Sequence, residues 1–265
     1  MQIEALLYTI RPQGSTRIVK LPQSGSDRIY FRIFYNNETL IATWNNHVQE
    51  NETFIHFSRH FKSLNLPVPA VYAINDEYTI YIQEDVGTTS LLDILEQQGQ
   101  NEYVYSLFQQ SLTELAKLQI KGHGGMDYNL CLTAKVFGKQ AILSDLLYFK
   151  YYFLDTLKLP YDKQVMLEDF ENISNFLADA LYNYFMFRDF QSRNIIVHNG
   201  KVHFIDYQGG MQGALQYDVA SLLWQARAGL SAEWKNTLLL HYIEEANKLL
   251  PAPVDENLFI QRFQK

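Results

Sequence analysis

The sequence predicts an α+β protein of two lobes, a small antiparallel sheet followed by a larger, mostly helical body. Three observations lead there. Segments rich in β-branched and aromatic residues crowd into the first 84 positions. Apolar residues spaced three and four apart dominate after residue 90, and a single late hairpin interrupts them. Segregation of strands from helices is the mark of an α+β architecture rather than of alternating βα units. The change of texture falls at Gln83–Gly87, so the expected lobes are residues 1–85 and 86–265.

Each element follows from local chemistry. Residues 16–20, 29–35 and 39–44 read as strands. Asn36-Asn37 between the last two is a hairpin turn, because Asn tolerates the left-handed conformation. A helix over 51–64 places Phe54, Phe57, Phe61 and Leu64 on one face. Leu66-Pro67-Val68-Pro69 ends it, since a proline disfavours helix at the residue before it. Strands follow at 70–74 and 79–84. Ser90 is placed to cap a helix over 91–98. A long amphipathic helix over 103–120 presents Val104, Leu107, Phe108, Leu112, Leu115 and Leu118. Further helices are expected at 141–158, 163–184, 219–228 and 233–250. The aromatic run 148–154 is expected in the core. The amphipathic run 255–265 has no terminating Gly or Pro and reads as an edge beyond which more structure follows.

Bulk composition narrows the function. Hydrophobic residues make up 47% and charged residues 19%, which excludes a disordered chain. A net charge of −7 gives no reason to expect nucleic acid or an anionic membrane as partner. No run approaches the ~18 apolar residues of a spanning helix. The start, with Glu4 close behind Met1 and no basic flank, is unlike a secretory leader. Cys131 is the only cysteine, so no disulfide can form within the chain and a reducing, cytoplasmic setting is expected. With no base nearby in sequence, it reads as an inert buried thiol.

Chemistry concentrates in residues 187–208. Asn199-Gly200 between two short apolar runs, 195–197 and 202–205, is the strongest short hairpin signal. Centring the turn there sets Asn194 opposite Ile205 and Arg193 opposite Asp206. Asn194 and Asp206 then meet at the open end of one hairpin. Strict alternation would aim them at opposite faces, so the chain must leave the ladder if both serve one ion. A carboxylate beside an amide oxygen suits a hard cation such as Mg²⁺. Asp189, five residues before Asn194, enters the same end and could accept the proton of an attacking hydroxyl.

Phe187-Arg188-Asp189, Asn194 five residues on, the hairpin and Ile205-Asp206-Tyr207 together resemble the catalytic layout of protein kinases. Within that broad group the chain is most similar to the aminoglycoside/choline phosphotransferase branch, and there to the N-acetylmuramate/N-acetylglucosamine anomeric sugar kinases. The similarity is carried by Ser24-Gly25-Ser26-Asp27-Arg28, Leu66-Pro67-Val68-Pro69, Gln83-Glu84-Asp85-Val86-Gly87, Asp206-Tyr207-Gln208 and Tyr217-Asp218-Val219-Ala220, in family order. It implies a bilobal protein-kinase-like fold and use of ATP with Mg²⁺. It implies Asp189 as base, Asn194 and Asp206 as metal ligands, and Ser24, Gly25, Ser26 and Arg28 over the phosphates. Gln83, Glu84 and Asp85 would form the adenine hinge, while Asp145 and Arg193 would meet a small sugar acceptor.

Two departures stand out. The His usual two residues before the base is Phe187, where a ring can serve as the brace. Strand 39–44 also lacks the lysine that grips the phosphates, leaving Arg28, Arg32 or Lys20 to supply that charge. Other readings keep part of the layout: a kinase for an aminoglycoside or choline-like cation, or a nucleotide-binding pseudokinase acting as an interaction module. Asp218 is expected to cap the helix that follows it, Glu50 and Glu52 to be solvated acids of a first turn, and His123 to be an exposed loop residue.

Overall fold

The computed structural model describes residues 2–22, 27–180 and 183–264. Its first part is a five-stranded sheet of β1 (Thr16–Lys20), β2 (Ile29–Tyr35), β3 (Glu38–Trp44), β4 (Val71–Ile74) and β5 (Ile80–Glu84). The order is β1-β2-β3-β5-β4, and every pair is antiparallel. Tyr35 pairs with Glu38 across Asn36-Asn37, and Asn36 takes φ +48°, the conformation that its short side chain tolerates. One face of the sheet buries Ile33, Leu40, Ala42, Ile80 and Ile82.

That core also takes in Leu6 and Leu7 from α1 (Gln2–Leu7), a helix that the sequence reading did not anticipate. Six residues are too few to display a helical period, so docking on the sheet decides its form. Helix α2 (Val48–Ser63) begins three residues earlier than the apolar spacing implied. Its cap is His47, whose Nδ1 accepts the Glu50 N–H at 3.2 Å. The apolar face of α2, with Phe54, Phe57 and Phe61, joins the second, larger core.

Beyond residue 90 the chain is mainly helical: α3 (Leu91–Gln98), α4 (Glu102–His123), α5 (Lys139–Phe149), α6 (Lys163–Ala178), then α7 (Leu215–Leu223), α8 (Ala232–Asn247) and α9 (Glu256–Phe263). Ser90 caps α3 as expected, accepting the Asp93 N–H at 3.1 Å, while Asp93 accepts the Ser90 N–H at 2.9 Å. This reciprocal pair satisfies two donors that the first turn would otherwise leave open. Two small antiparallel pairs complete the fold, β6 (Asn183–Met186) with β9 (Met211–Ala214) and β7 (Ile195–His198) with β8 (Lys201–Phe204).

Four local expectations need correcting. The helix expected over 163–184 stops at Ala178, and Asn183–Met186 is strand instead. The helix expected over 141–158 becomes a π-helical turn at Lys150–Leu154. The aromatic run is not core: Tyr148 is 63% exposed and Tyr152 67%, and they stack on each other at 4.2 Å. Helix α5 packs mainly against α6, so its one buried residue is Ile142 and the remaining rings have no wall to lie on. Finally, α7 starts at Leu215, so Asp218 lies inside its first turn rather than before it.

Candidate active site

The β7–β8 hairpin has the predicted register, with Ile195 opposite Phe204 and the Ile205 N–H donating to the Asn194 carbonyl at 3.0 Å. Asn199 and Gly200 both take positive φ, 51° and 72°, as the two central residues of this tight turn require. The chain then leaves the ladder as anticipated. Asp206 adopts φ +71°, which turns its carboxylate out of strand alternation. On the other limb Asn194 closes a 3₁₀ turn, Ser192–Asn194, and its Nδ2 donates to the Asp189 carbonyl at 2.9 Å. Fixing the amide nitrogen there fixes the direction of its oxygen as well.

A cavity of about 680 Å³ opens between sheet and helical body, lined by Arg28, Gln83, Asp85, Arg193, Asn194 and Asp206 among others. Its apolar wall includes Ile41, Val86, Ile196 and Ile205. Of the residues singled out from sequence, those six share this space with Arg32. Glu84 also borders it, but its carboxylate is bound on the far side by Lys62 Nζ at 2.9 Å and the Ala70 N–H at 3.1 Å. Asp145 does not border it and instead accepts from Arg188 at 3.0 and 3.2 Å. Ser24, Gly25 and Ser26 lie outside the described residues.

The three candidate cations separate clearly. Arg32 is committed to Asp85 at 2.7 Å. Lys20 is exposed at the end of β1. Arg28, only 4% exposed, pairs with Glu50 and brings Nη1 to 3.4 Å from Asp206. Glu50 is therefore not a solvated acid: it also accepts from Asn45 Nδ2 at 2.8 Å. Glu52, by contrast, is exposed as expected.

Asp189 sits one hydrogen bond from this wall, through Asn194. Desolvation by its surroundings, followed by the charge of Asp206, pushes its carboxyl above the ordinary range, against the pull of Arg188 and Arg193. Phe187 fills the place of the usual His with a fully buried ring, edge-on to Phe190 at 5.2 Å, Phe204 at 6.2 Å and Tyr207 at 6.0 Å. Tyr207 lies flat against Phe54 at 5.0 Å, and Phe54 against Tyr81 at 5.1 Å. The segment after Asp206 is thereby tied through α2 to β5.

One functional carboxylate escaped the sequence reading. Asp218 accepts the backbone N–H groups of Phe187 at 2.8 Å and Arg188 at 3.0 Å, and Gln119 Nε2 at 2.8 Å. It clamps the loop that presents Asp189, and burial pushes its carboxyl up to about 7. Only the proximity of Asp218 to Tyr217 in the family-like segment hinted at more than a cap. His123 differs as well: it ends α4, with Nδ1 2.9 Å from the Tyr128 hydroxyl, rather than standing free on a loop. Cys131 is buried, and desolvation pushes its thiol up to about 11, as befits an inert residue.

Among the described residues no three His, Cys, Asp or Glu side chains cluster as a self-sufficient metal centre. Asn194 and Asp206 instead offer a partial set of hard oxygen donors, which suits Mg²⁺ completed by substrate phosphates and water. No helix among the described residues is long and apolar enough to cross a membrane.

Comparison with known proteins gives the family and the fold. The model of the phosphotransferase enzyme family, APH, matches residues 18–252. An N-acetylmuramate/N-acetylglucosamine kinase of Neisseria meningitidis serogroup B is 20% identical over 273 residues, covering 100% of this chain and 78% of that protein. Choline kinase LicA from Streptococcus pneumoniae superposes with a TM-score of 0.62 at 14% identity, covering 98% of this chain and 84% of the other. The aminoglycoside phosphotransferase APH(4)-Ia, in a complex with ADP and hygromycin B, superposes with a TM-score of 0.59 at 17% identity, covering 99% and 88%. The protein-kinase-like fold expected from sequence is thus the fold of these structures. The chain belongs to the phosphotransferase enzyme family and is a small-molecule phosphotransferase.

Proposed function

We propose that this family member transfers the γ-phosphoryl group of ATP to the anomeric hydroxyl of an N-acetylated amino sugar, with Mg²⁺ as cofactor. The observation that carries it is the convergence on one cavity of Asn194, locked through its amide nitrogen, and Asp206, turned out of its strand, with Asp189 alongside. The sheet lobe, ending near residue 85, takes the nucleotide. Gln83 supports this: its buried side-chain oxygen has no partner and can accept from the adenine amine, while Ile41, Ile196 and Ile205 give a flat ring apolar neighbours. Arg28 stands in for the missing lysine at the phosphates.

Asn194 Oδ1 and the Asp206 carboxylate would hold Mg²⁺, which supplies neutralisation of phosphate charge. Asp189 orients the acceptor hydroxyl and takes its proton as the new P–O bond forms and the bond to the ADP oxygen breaks. Burial and the nearby Asp206 charge raise its pKa, which makes it a better base than an ordinary carboxylate. An acceptor without positive charge is favoured because Asp145, the carboxylate that a cationic acceptor would seek, is already paired with Arg188.

The test is radiolabelled γ-phosphate transfer from ATP to N-acetylglucosamine, N-acetylmuramate, choline and an aminoglycoside. The expected product is an acid-labile sugar 1-phosphate. Transfer to choline or to the aminoglycoside alone would replace the sugar assignment, and no transfer to any acceptor would leave a nucleotide-binding module.

A further inference from the structure

A second cavity, about 360 Å³, lies in the helical body and shares no lining residue with the first. Its walls come from α5, α6, α7, α9 and the paired ends of β6 and β9, and most of them are apolar, Phe137, Ile142, Leu177, Ala220 and Phe263 among them. Polar side chains break that surface at Asn183, Ser221, Gln216 and Arg262, and the last two leave buried polar atoms without partners. Gln216, 5% exposed, has neither its amide nitrogen nor its amide oxygen hydrogen-bonded. Arg262, whose side chain is 10% exposed, leaves Nε and Nη1 without a partner. Its nearest carboxylate is Asp179, 88% exposed and 3.7 Å away from Nη2.

Burying both ends of an amide together with two donors of a guanidinium is unfavourable unless something completes them. These groups border a cavity in the size range of small-molecule sites, with apolar walls and a few convergent polar atoms. The polar pair also states what fits. A guanidinium asks for an anion, the amide offers one donor and one acceptor beside it, and the remaining wall asks for hydrocarbon. Because Asp179 already shares the guanidinium charge, a singly charged group is enough.

We propose that this pocket is a second binding site, distinct from the nucleotide cavity, for a small, mainly apolar monocarboxylic acid whose carboxylate meets Arg262 and Gln216. The site backs onto the catalytic loop. Phe137 and Tyr217, which line it, carry the Arg188 guanidinium at 4.9 and 5.9 Å from their ring centres.

The probes are 4-phenylbutyrate and its uncharged amide, measured by calorimetry on the whole chain with and without AMP-PNP. The expected result is saturable binding of the acid, at least tenfold weaker binding of the amide, and no displacement by AMP-PNP. Arg262→Gln should erase the preference for the acid. Ala220→Phe, which fills the cavity from α7, should abolish binding of both while leaving nucleotide affinity unchanged. Absence of binding, equal binding of acid and amide, displacement by AMP-PNP, or unaltered binding to Ala220→Phe would each overturn the proposal. None of these outcomes bears on the phosphotransfer reading, which concerns the other cavity.

Discussion

Arg28 holds its Nη1 3.4 Å from the Asp206 carboxylate while its other nitrogen pairs with Glu50. A buried cation is thereby set between the first turn of α2 and the proposed metal ligand. If it grips the nucleotide phosphates, Arg28→Gln should weaken AMP-PNP binding by about 10- to 100-fold, as expected for loss of one charge-assisted contact of ~1.5–3 kcal/mol. Arg28→Lys should fall between. Calorimetry on folded variants reads this directly, and unchanged affinity in Arg28→Gln would move the phosphate grip elsewhere.

Asp189→Asn should reduce phosphoryl transfer by roughly 10²- to 10⁴-fold, the usual scale of a positioned general base. Nucleotide affinity should stay within about twofold, because the contact that Asn194 makes is to the Asp189 backbone and survives the substitution. Single-turnover transfer together with equilibrium binding separates the two effects.

The parts of this protein legible in its sequence are those governed by short-range chemistry. Asn199-Gly200 sets the hairpin register, and that register places Asn194 against Ile205. Ser90 and Asp93 announced a capped helix. What stayed hidden depends on distant partners. The strand at Met211–Ala214 contains a glycine and reads as a loop; it forms because Met186 of β6 packs so closely on Gly213 that a Cβ there would meet its sulfur at 2.6 Å. Asp218 looked like a cap because nothing in its neighbourhood reveals that two backbone donors thirty residues upstream converge on it. Glu50 looked solvated for the same reason, since its partner Arg28 comes from another element.

Phe187 takes the place of a residue that is commonly His, and its ring is completely enclosed by Phe190, Phe204 and Tyr207. Phe187→Ala should cost about 3–5 kcal/mol of stability. Phe187→His should cost about 1–3 kcal/mol, because an imidazole there would bury polar nitrogens among rings. Denaturant unfolding checks both. A stabilised Phe187→His variant would mean that the ring cluster is not the brace.

The exposed rings of α5 make the opposite forecast. Tyr148 and Tyr152 stack on one another in solvent, so the double change Tyr148→Ser, Tyr152→Ser removes little buried area. Stability should change by no more than about 1 kcal/mol, the pair's own stacking plus ordinary surface effects. A larger loss in denaturant unfolding would place these rings in a packed interface.

Asp218 carries the strongest pH signature. Its carboxyl is pushed up to about 7 by burial, from an unfolded value near the ordinary carboxylate range. A folded value above the unfolded one means that the folded state binds the proton more tightly. The stabilisation from that proton is complete below the unfolded pKa and fades as pH rises through about 7. Asp218→Asn removes the titration; it keeps one oxygen acceptor but turns an amide N–H₂ toward either the Phe187 or the Arg188 backbone N–H, which are held by different carboxylate oxygens. Leaving one buried backbone N–H poorly satisfied costs about 1–3 kcal/mol, so Tm should fall by roughly 2–12 °C. The gap in Tm between wild type and Asp218→Asn should therefore narrow between about pH 5 and pH 8, as the folded state loses its proton. A gap that widens with pH would show that the ionised carboxylate, held by its three donors, is the more stable form of the clamp.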